Sequence, residues 1–156
     1  MIVIADTSPI NYLILIDEIE VLPRLYGRVI LPEAVCAELL ADAAPVSVRN
    51  WAAALPPWIE VAPSPTKIDS QLAEELGRCE GEAIYLAGIV SADLLLIDET
   101  LGRQVAVNRG FRVIGTIGIL IAAKRLGLID SESVGRRLLK TNFHVSPKLV
   151  ELLINE

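Results

Sequence analysis

Two aspartates stand at matching places in the sequence, each directly after a short run of aliphatic residues. Asp6 follows residues 2–5, and Asp98 follows residues 94–97. Ligands of parallel α/β sheets bind beyond the carboxyl ends of the strands, so these two carboxylates open onto one crevice if their strands are neighbours. The alternative is that each is only a helix N-cap, which explains either aspartate alone equally well.

Two glutamates could complete an acidic cluster. Glu82 has Leu86 and Ile89 at the i+4 and i+7 positions of a predicted helix, so it should point toward buried side chains. A buried carboxylate needs a metal, a partner or a raised pKa. A partly solvated first-turn glutamate is the alternative, and it suits Glu80 better. Glu38 borders the apolar stripe of its own helix, where an ordinary boundary residue is the simpler interpretation.

Acids from four separate elements could together bind one or two hard cations. Mg²⁺ and Mn²⁺ take oxygen ligands and retain water molecules. Such a site can activate a water and stabilise the leaving oxygen when a phosphodiester is hydrolysed. A zinc site of the Cys/His type is excluded, because the chain has two cysteines and one histidine. We expect Cys36 and Cys79 to be free thiols in a reducing cytoplasm.

Strands and helices alternate along the chain and would position these acids. Strands are predicted at residues 2–5, 29–31, 94–97 and 111–114, with helices between them. Residues 43–66 predict a short helix around Trp51 and an irregular, proline-rich connection. This order predicts an α/β fold, namely a three-layer α/β/α sandwich with a central, mainly parallel sheet. The length predicts one domain over residues 1–156.

The composition is strongly aliphatic, with 53% hydrophobic and only 4% aromatic residues. A sheet buried on both faces accounts for part of this excess, and burial against a second subunit would account for the rest, so we predict a homodimer. No apolar run is long enough to span a membrane, and the N-terminus lacks the basic region of a signal peptide. We therefore expect a cytoplasmic protein without membrane contact.

The net charge of −6 argues against binding nucleic acid by simple electrostatics. The charge is uneven, however: residues 1–98 carry 5 basic and 15 acidic side chains, whereas residues 99–156 carry 9 and 5. An uneven surface explains this equally well as a basic arm beside an acidic metal centre. The candidate phosphate contacts, or else an ordinary solvated face, are Lys124, Arg125, Arg136, Arg137 and Lys140.

Five short motifs carry a resemblance over nearly the whole chain. They are Asp6-Thr-Ser-Pro, Pro32-x5-Glu38, Glu80-Gly-Glu82-Ala-Ile, Leu-Leu-Ile-Asp98-Glu99 and Ile114-Gly-Thr116-Ile-Gly. In this order they resemble a PIN domain, in particular the small prokaryotic branch related to the VapC toxins. The resemblance implies a Mg²⁺- or Mn²⁺-dependent ribonuclease that acts on RNA, with a cognate antitoxin protein as a possible partner. It also implies a catalytic cluster formed by Asp6, Glu38, Glu82 and Asp98, with the metal on Asp6, Glu82 and Asp98.

Further site residues follow from the same resemblance. Thr7 or Ser8 would position a water molecule at the metal. Glu99 stands where many relatives have a second aspartate, and its longer side chain could instead pair with Arg103 at i+4. Thr116 could be simply a helix N-cap or could contact substrate or water.

Other functions fit the residues less well. The main alternative is a PIN fold with weak or lost activity that serves as a protein-binding module. A DNA nuclease of the flap-endonuclease type would need extra DNA-binding elements for which this chain has no room. A phosphotransferase with an aspartate nucleophile usually needs a second acid two positions later, where this chain has Ser8.

Overall fold

The computed structural model describes residues 1–65 and 67–155. Five strands of this part form one parallel sheet in the order β3-β2-β1-β4-β5. The strands are β1 (Val3–Ala5), β2 (Val29–Pro32), β3 (Ile59–Ala62), β4 (Leu94–Leu96) and β5 (Val113–Ile114). Helices cover both faces, which confirms the predicted three-layer α/β/α sandwich.

Ten helices occur in the described residues. They are α1 (Thr7–Leu15), α2 (Val21–Tyr26), α3 (Glu33–Leu39), α4 (Val46–Ala53), α5 (Ser70–Glu75), α6 (Arg78–Val90), α7 (Thr100–Asn108), α8 (Thr116–Arg125), α9 (Ser131–Leu139) and α10 (Pro147–Asn155). None of these helices is long and apolar enough to cross a membrane.

Consecutive residues of the central strand face opposite layers, as the two-residue period of a strand requires. Val3 and Ala5 belong to the core cluster formed with α1, α3 and α8, whereas Ile4 belongs to the cluster formed with α5, α6 and α7. All three are buried. Burial of an aliphatic side chain of this size contributes about 1.5–3 kcal/mol. The aliphatic composition therefore serves a sheet that is covered on both sides.

The edge strand β3 was not predicted, because it lies in the proline-rich stretch assigned to an irregular connection. Its pairing with β2 runs from Val29↔Ile59 to Pro32↔Ala62. Only Ile59 of its four residues is buried, so the strand has little aliphatic signal of its own. Thr66, the last residue of the predicted connection, lies outside the described residues, as does Glu156 at the end of the predicted domain.

The order of the strands places a crevice beside β1. Successive strands run outward from β1 to β2 and β3 on one side, and to β4 and β5 on the other. A parallel sheet forms its ligand crevice where the strand order reverses in this way. Asp6 follows β1 and Asp98 lies two residues beyond β4, and these strands are direct neighbours with Ala5 opposite Leu96. The sheet thus brings the two aspartates to one end of the molecule.

Candidate active site

A cavity of about 1040 Å³ opens at the carboxyl ends of β1 and β4. Its walls come from α1, α3, α6, α7 and α8 and from the segment that joins α9 to α10. Among the residues that the structure describes, the carboxylates lining it are Asp6, Glu38, Glu80, Asp98 and Glu99. Three of the four predicted catalytic acids, Asp6, Glu38 and Asp98, therefore line one cavity. Glu80 and Glu99 line it as well.

Asp6 is the most buried of these acids, with 3% of its surface exposed. It occupies the N-cap position of α1, but its side chain makes no capping hydrogen bond, and its Oδ1 has no hydrogen-bond partner in the described part of the chain. Burial, followed by repulsion from Glu80, raises the pKa of Asp6 to about 7 against the opposing hydrogen bond from the Thr7 N–H. Glu38 and Asp98 add further repulsion. Helix capping therefore does not account for this carboxylate.

Asp98 is held by three hydrogen bonds from neighbouring elements. The backbone N–H of Thr116 donates to Oδ1 at 2.6 Å, and the Thr116 hydroxyl donates to Oδ2 at 2.7 Å. The Ser8 hydroxyl also donates to Oδ2, at 3.0 Å. A Cβ at Gly115 would lie 2.8 Å from Asp98 Oδ1 and 3.2 Å from Arg103 Nη1, so glycine at this position permits the approach. Asp98 thereby satisfies donors at the start of α8.

The predicted hydroxyl contacts divide into two kinds. Ser8 and Thr116 both donate to Asp98, so the structure uses them to orient a carboxylate. Thr116 is the first residue of α8, and its side chain does not cap that helix. The Thr7 hydroxyl also borders the cavity, and its oxygen is buried without a hydrogen-bond partner. Unlike Ser8 and Thr116, Thr7 is thus not hydrogen-bonded to Asp98.

Glu38 reaches the cavity from α3 and accepts a hydrogen bond from a buried thiol. Cys79 Sγ lies 3.0 Å from Glu38 Oε2 and 3.4 Å from the carbonyl oxygen of Ala34. Burial and the contact with Glu38 raise the pKa of Cys79 to about 12, so the thiol stays protonated and acts as a donor. Both Cys79 and the half-buried Cys36 are free thiols.

The two glutamates of α6 differ from expectation, because Glu82 was expected in the acidic cluster and Glu80 outside it. Glu82 is indeed buried, but it does not line the cavity, and its Oε2 pairs with Arg78 Nε at 3.2 Å. Glu80 lines the cavity instead. Successive residues of a helix point about 100° apart, so Glu80 and Glu82, which are two positions apart on α6, face different ways. Glu82 therefore lies outside the lining of the cavity that Asp6 and Asp98 share, and its place at the metal stays a prediction.

Two glycines leave room for the Glu80 side chain. A Cβ at Gly77 would lie 2.7 Å from Glu80 Oε2, and one at Gly102 would lie 3.6 Å from Glu80 Cγ. A hydrogen bond with Glu80 is the largest cause that raises the pKa of Glu99, followed by burial and by the charge of Glu80. Across the described residues, Glu99 forms no ion pair with Arg103, contrary to expectation. Gly77 and Gly102 are the sequence signal that could have identified Glu80.

Most of the predicted phosphate-binding cations have structural partners. Lys124 Nζ donates to the carbonyl oxygens of Leu153 and Ile154 at 2.8 and 2.9 Å. Arg137 contacts the Ile16 carbonyl and pairs with Glu18, and Arg136 pairs with Glu132. In residues 1–65 and 67–155, the basic side chains that line the cavity are Arg103 and His144. Neither residue was predicted to line the cavity.

The donors in the cavity suit a hard divalent cation, because they are carboxylate and hydroxyl oxygens. As the side chains stand, no three His, Cys, Asp or Glu residues within the described ranges are gathered closely enough to hold an ion. The unpartnered Asp6 Oδ1 nevertheless fits one, since a cation would be its missing partner and would offset the repulsion from Glu80, Glu38 and Asp98. We infer that the acids fit a metal but must draw closer to bind it.

Comparison with known families agrees with this arrangement. The family model DUF3368, described as a PIN domain, matches residues 2–156. No curated protein and no solved structure matches the chain. PIN domains have a nuclease-type fold and generally depend on divalent metal. With a match over nearly its whole length and a parallel sheet that gathers acids at one end, the chain belongs to the PIN-domain family.

Proposed function

We propose that residues 1–156 form one PIN domain that acts as a Mg²⁺- or Mn²⁺-dependent endoribonuclease. Its acidic centre consists of Asp6, Glu38, Glu80 and Asp98. The observation that carries the proposal is the buried Asp6 carboxylate, which has an oxygen without any partner and lies in a cavity lined by other acids. Leaving such a group unpaired costs about 1–3 kcal/mol. A functional ligand is the physical reason to retain it.

Some residues of the cavity would bind the metal, and others would orient those ligands or contact the substrate. Asp6, Asp98 and Glu80 are the acids that would hold the metal, with Glu38 beside them. When bound, the metal supplies Lewis-acid stabilisation of the phosphoryl oxygens and makes a water molecule more acidic. Ser8 and Thr116 keep Asp98 oriented. Thr7 lines the cavity beside Asp6 and would donate its hydroxyl to bound substrate.

Arg103 is placed to contact the substrate phosphate. A point beside Gly115 lies 3.2 Å from its Nη1 and 2.8 Å from Asp98 Oδ1, so the guanidinium lies close to the acidic centre. Guanidinium groups bind phosphate oxygens through two parallel hydrogen bonds. The cation also offsets part of the repulsion between the acids and an incoming polyanion. Arg103 thus complements the acids in a chain whose net charge is negative.

The finer parts of the function rest on the resemblance to VapC-like proteins. These are the choice of RNA over DNA, the role of a toxin and the cognate antitoxin, and they stay predictions. The homodimer also stays a prediction. Exposed leucines on α9 and α10, such as Leu139 and Leu152, suit an interface between helices, and light scattering that gives a monomer mass would refute it. The cytoplasmic location is likewise a prediction.

The binding-module alternative is less consistent with the cavity. A PIN fold that only binds a protein has no use for a buried, unpaired carboxylate, and substitution of Asp6 by a neutral residue would stabilise it. Purified protein incubated with labelled single-stranded RNA and matched DNA separates the two functions. We expect cleavage of RNA with Mg²⁺ or Mn²⁺ and none with a chelator. Absence of metal-dependent cleavage across a broad panel of RNAs would favour the binding module.

The two glutamates of α6 provide a matched test of the acidic centre. Glu80→Gln removes a charge from the cavity, and we expect it to lower RNA cleavage about a hundredfold. Glu82→Gln removes a charge from the same helix outside the cavity and can keep a hydrogen bond with Arg78. We expect it to retain cleavage within about threefold of wild type. Rates measured at saturating Mn²⁺ decide the matter, and the reverse ranking would restore the assignment of Glu82 to the site.

A further inference from the structure

The cavity has a second end that the proposed chemistry does not use. Tyr12 and Phe143 line it with their rings in contact, with centroids 4.7 Å apart and planes tilted by 59°. The Tyr12 hydroxyl donates to Asn142 Oδ1 at 2.8 Å, which joins α1 to the segment between α9 and α10. Both side chains are half-buried. In a chain with only 4% aromatic residues, this end of the cavity therefore presents two fixed aromatic rings.

These rings lie about one helical turn from the acidic centre. Ser8, which donates to Asp98, and Tyr12 are four residues apart on α1 and so lie on the same face of that helix, with Cβ atoms about 5–6 Å apart. After burial, the charge of Asp98 is the other cause that raises the pKa of Tyr12. The aromatic and acidic ends are thus neighbouring parts of one cavity.

We propose that Tyr12 and Phe143 form a subsite that stacks one nucleobase of the RNA beside the phosphodiester to be cut. The proposal rests on the proposed ribonuclease function and adds a contact that positions the strand for cleavage. Aromatic side chains are the usual platform for unpaired bases, because every base has a π-face. Asn11 also lines the cavity, and its amide can donate to and accept from the edge of a base.

The charges around the cavity fit a nucleotide chain better than an apolar peptide. Arg103 stands near the acidic end, and His144 follows Phe143 at the aromatic end. Arg103 can therefore contact the phosphate next to a base that is stacked at the aromatic end. The volume of about 1040 Å³ also exceeds what a single phosphate group needs. An apolar peptide would leave Arg103 and the acids without a role.

The test uses short single-stranded RNAs that carry one 2-aminopurine, stepped along the sequence around the cleaved bond. The fluorescence of this base falls when it stacks, and the Asp6→Asn protein is used because it should cut the RNA too slowly to interfere with the measurement. We expect strong quenching at one position only. Phe143→Leu, added to Asp6→Asn, should abolish that quenching and weaken RNA binding about tenfold, whereas Phe143→Tyr should preserve both. Phe111→Leu is the matched control, because Phe111 is half-buried outside the cavity, and it should change neither.

A second measurement does not depend on how well the variant folds. An abasic nucleotide at the quenched position should weaken RNA binding about tenfold in the protein that retains both Tyr12 and Phe143. It should weaken RNA binding little further in the protein that carries Phe143→Leu. Two results would overturn the subsite alone: RNA cleavage without quenching at any position, or RNA binding that Phe143→Leu does not weaken. Either result would assign the aromatic end to another occupant, such as a peptide. Wild-type protein that neither binds nor cuts RNA overturns the ribonuclease function, and the subsite with it.

Discussion

Asp6 and Asp98 follow neighbouring parallel strands and line the same cavity, yet their carboxylates have opposite surroundings. Asp98 accepts three hydrogen bonds from Thr116 and Ser8, and it is only partly buried. Asp6 is almost completely buried, and its Oδ1 accepts none. Its raised pKa of about 7 reflects burial first and the surrounding acids second.

This difference separates a carboxylate that stabilises the fold from one that is unpaired and can bind a ligand. The hydrogen bonds to Asp98 tie β4 to the first turns of α1 and α8, so this carboxylate contributes to stability. Asp6 is buried away from water, so it lowers the free energy of unfolding whenever its carboxylate is ionised. One aspartate is therefore anchored, whereas the other is retained at a cost that binding a cation can offset.

The largest expected effect is common to both aspartates. Asp6→Asn and Asp98→Asn each remove a negative charge from the acidic centre, and we expect each to lower metal-dependent RNA cleavage at least about a thousandfold. Asp93→Asn is the control, because Asp93 precedes β4 at the opposite end of the same strand. It should retain the wild-type rate. If Asp6→Asn keeps full activity while Asp98→Asn loses it, the unpaired carboxylate is not part of the catalytic site.

The next effect separates the two residues by their stability. Asp98→Asn leaves one acceptor oxygen where the carboxylate satisfies three donors, and it removes a charge from the start of α8. We expect the free energy of unfolding to fall by about 2 kcal/mol in urea titrations without metal. The exposed Asp93→Asn should change it by less than about 0.5 kcal/mol. An unchanged unfolding midpoint in Asp98→Asn would show that these hydrogen bonds do not anchor the strand end.

The smallest of these effects has the opposite sign and depends on pH. The pKa of Asp6 is about 7 in the folded protein against an ordinary value of 3.8, so between these values the folded state holds more protons than the unfolded state. The contribution of Asp6 to stability therefore falls as the pH rises from about 4 to about 7. Asp6→Asn removes this loss, and we expect a gain on the order of 1–2 kcal/mol at about pH 8 and none near pH 4. A gain that is the same at both pH values would contradict the raised pKa.

The sequence predicts that Asp6 and Asp98 lie close together, because their proximity depends on a general property of parallel sheets. Each aspartate comes after an aliphatic run that is a buried strand, and the carboxyl ends of parallel strands share one edge. Long-range pairing of β1 with β4 is set by the burial of both strands in the middle of the sheet. The three-layer fold follows from the same alternation of strands and helices.

Features that depend on how a helix is rotated or on a weak local signal could not be predicted in this way. An apolar stripe shows that Glu82 is buried but does not show which neighbour it faces, so the observed orientation of α6 was needed to show that Glu80 lines the cavity. The strand β3 contains one buried residue, Ile59, between prolines, and its pairing with β2 supplies what its own sequence lacks. The contact between Tyr12 and Phe143 joins residues far apart in the chain, and no periodic pattern records it.

The most direct test of the account is the thermal midpoint of wild-type and Asp6→Asn protein, each with and without Mn²⁺, at about pH 8. A ligand that binds only the folded state raises the midpoint, and it needs the deprotonated carboxylate. The account predicts that Mn²⁺ raises the wild-type midpoint clearly at this pH and much less at about pH 5.5, where Asp6 retains its proton. It also predicts that the Asp6→Asn protein starts from a higher midpoint and gains little from Mn²⁺ at either pH. An equal rise in both proteins would contradict the claim that the unpaired Asp6 carboxylate binds the metal.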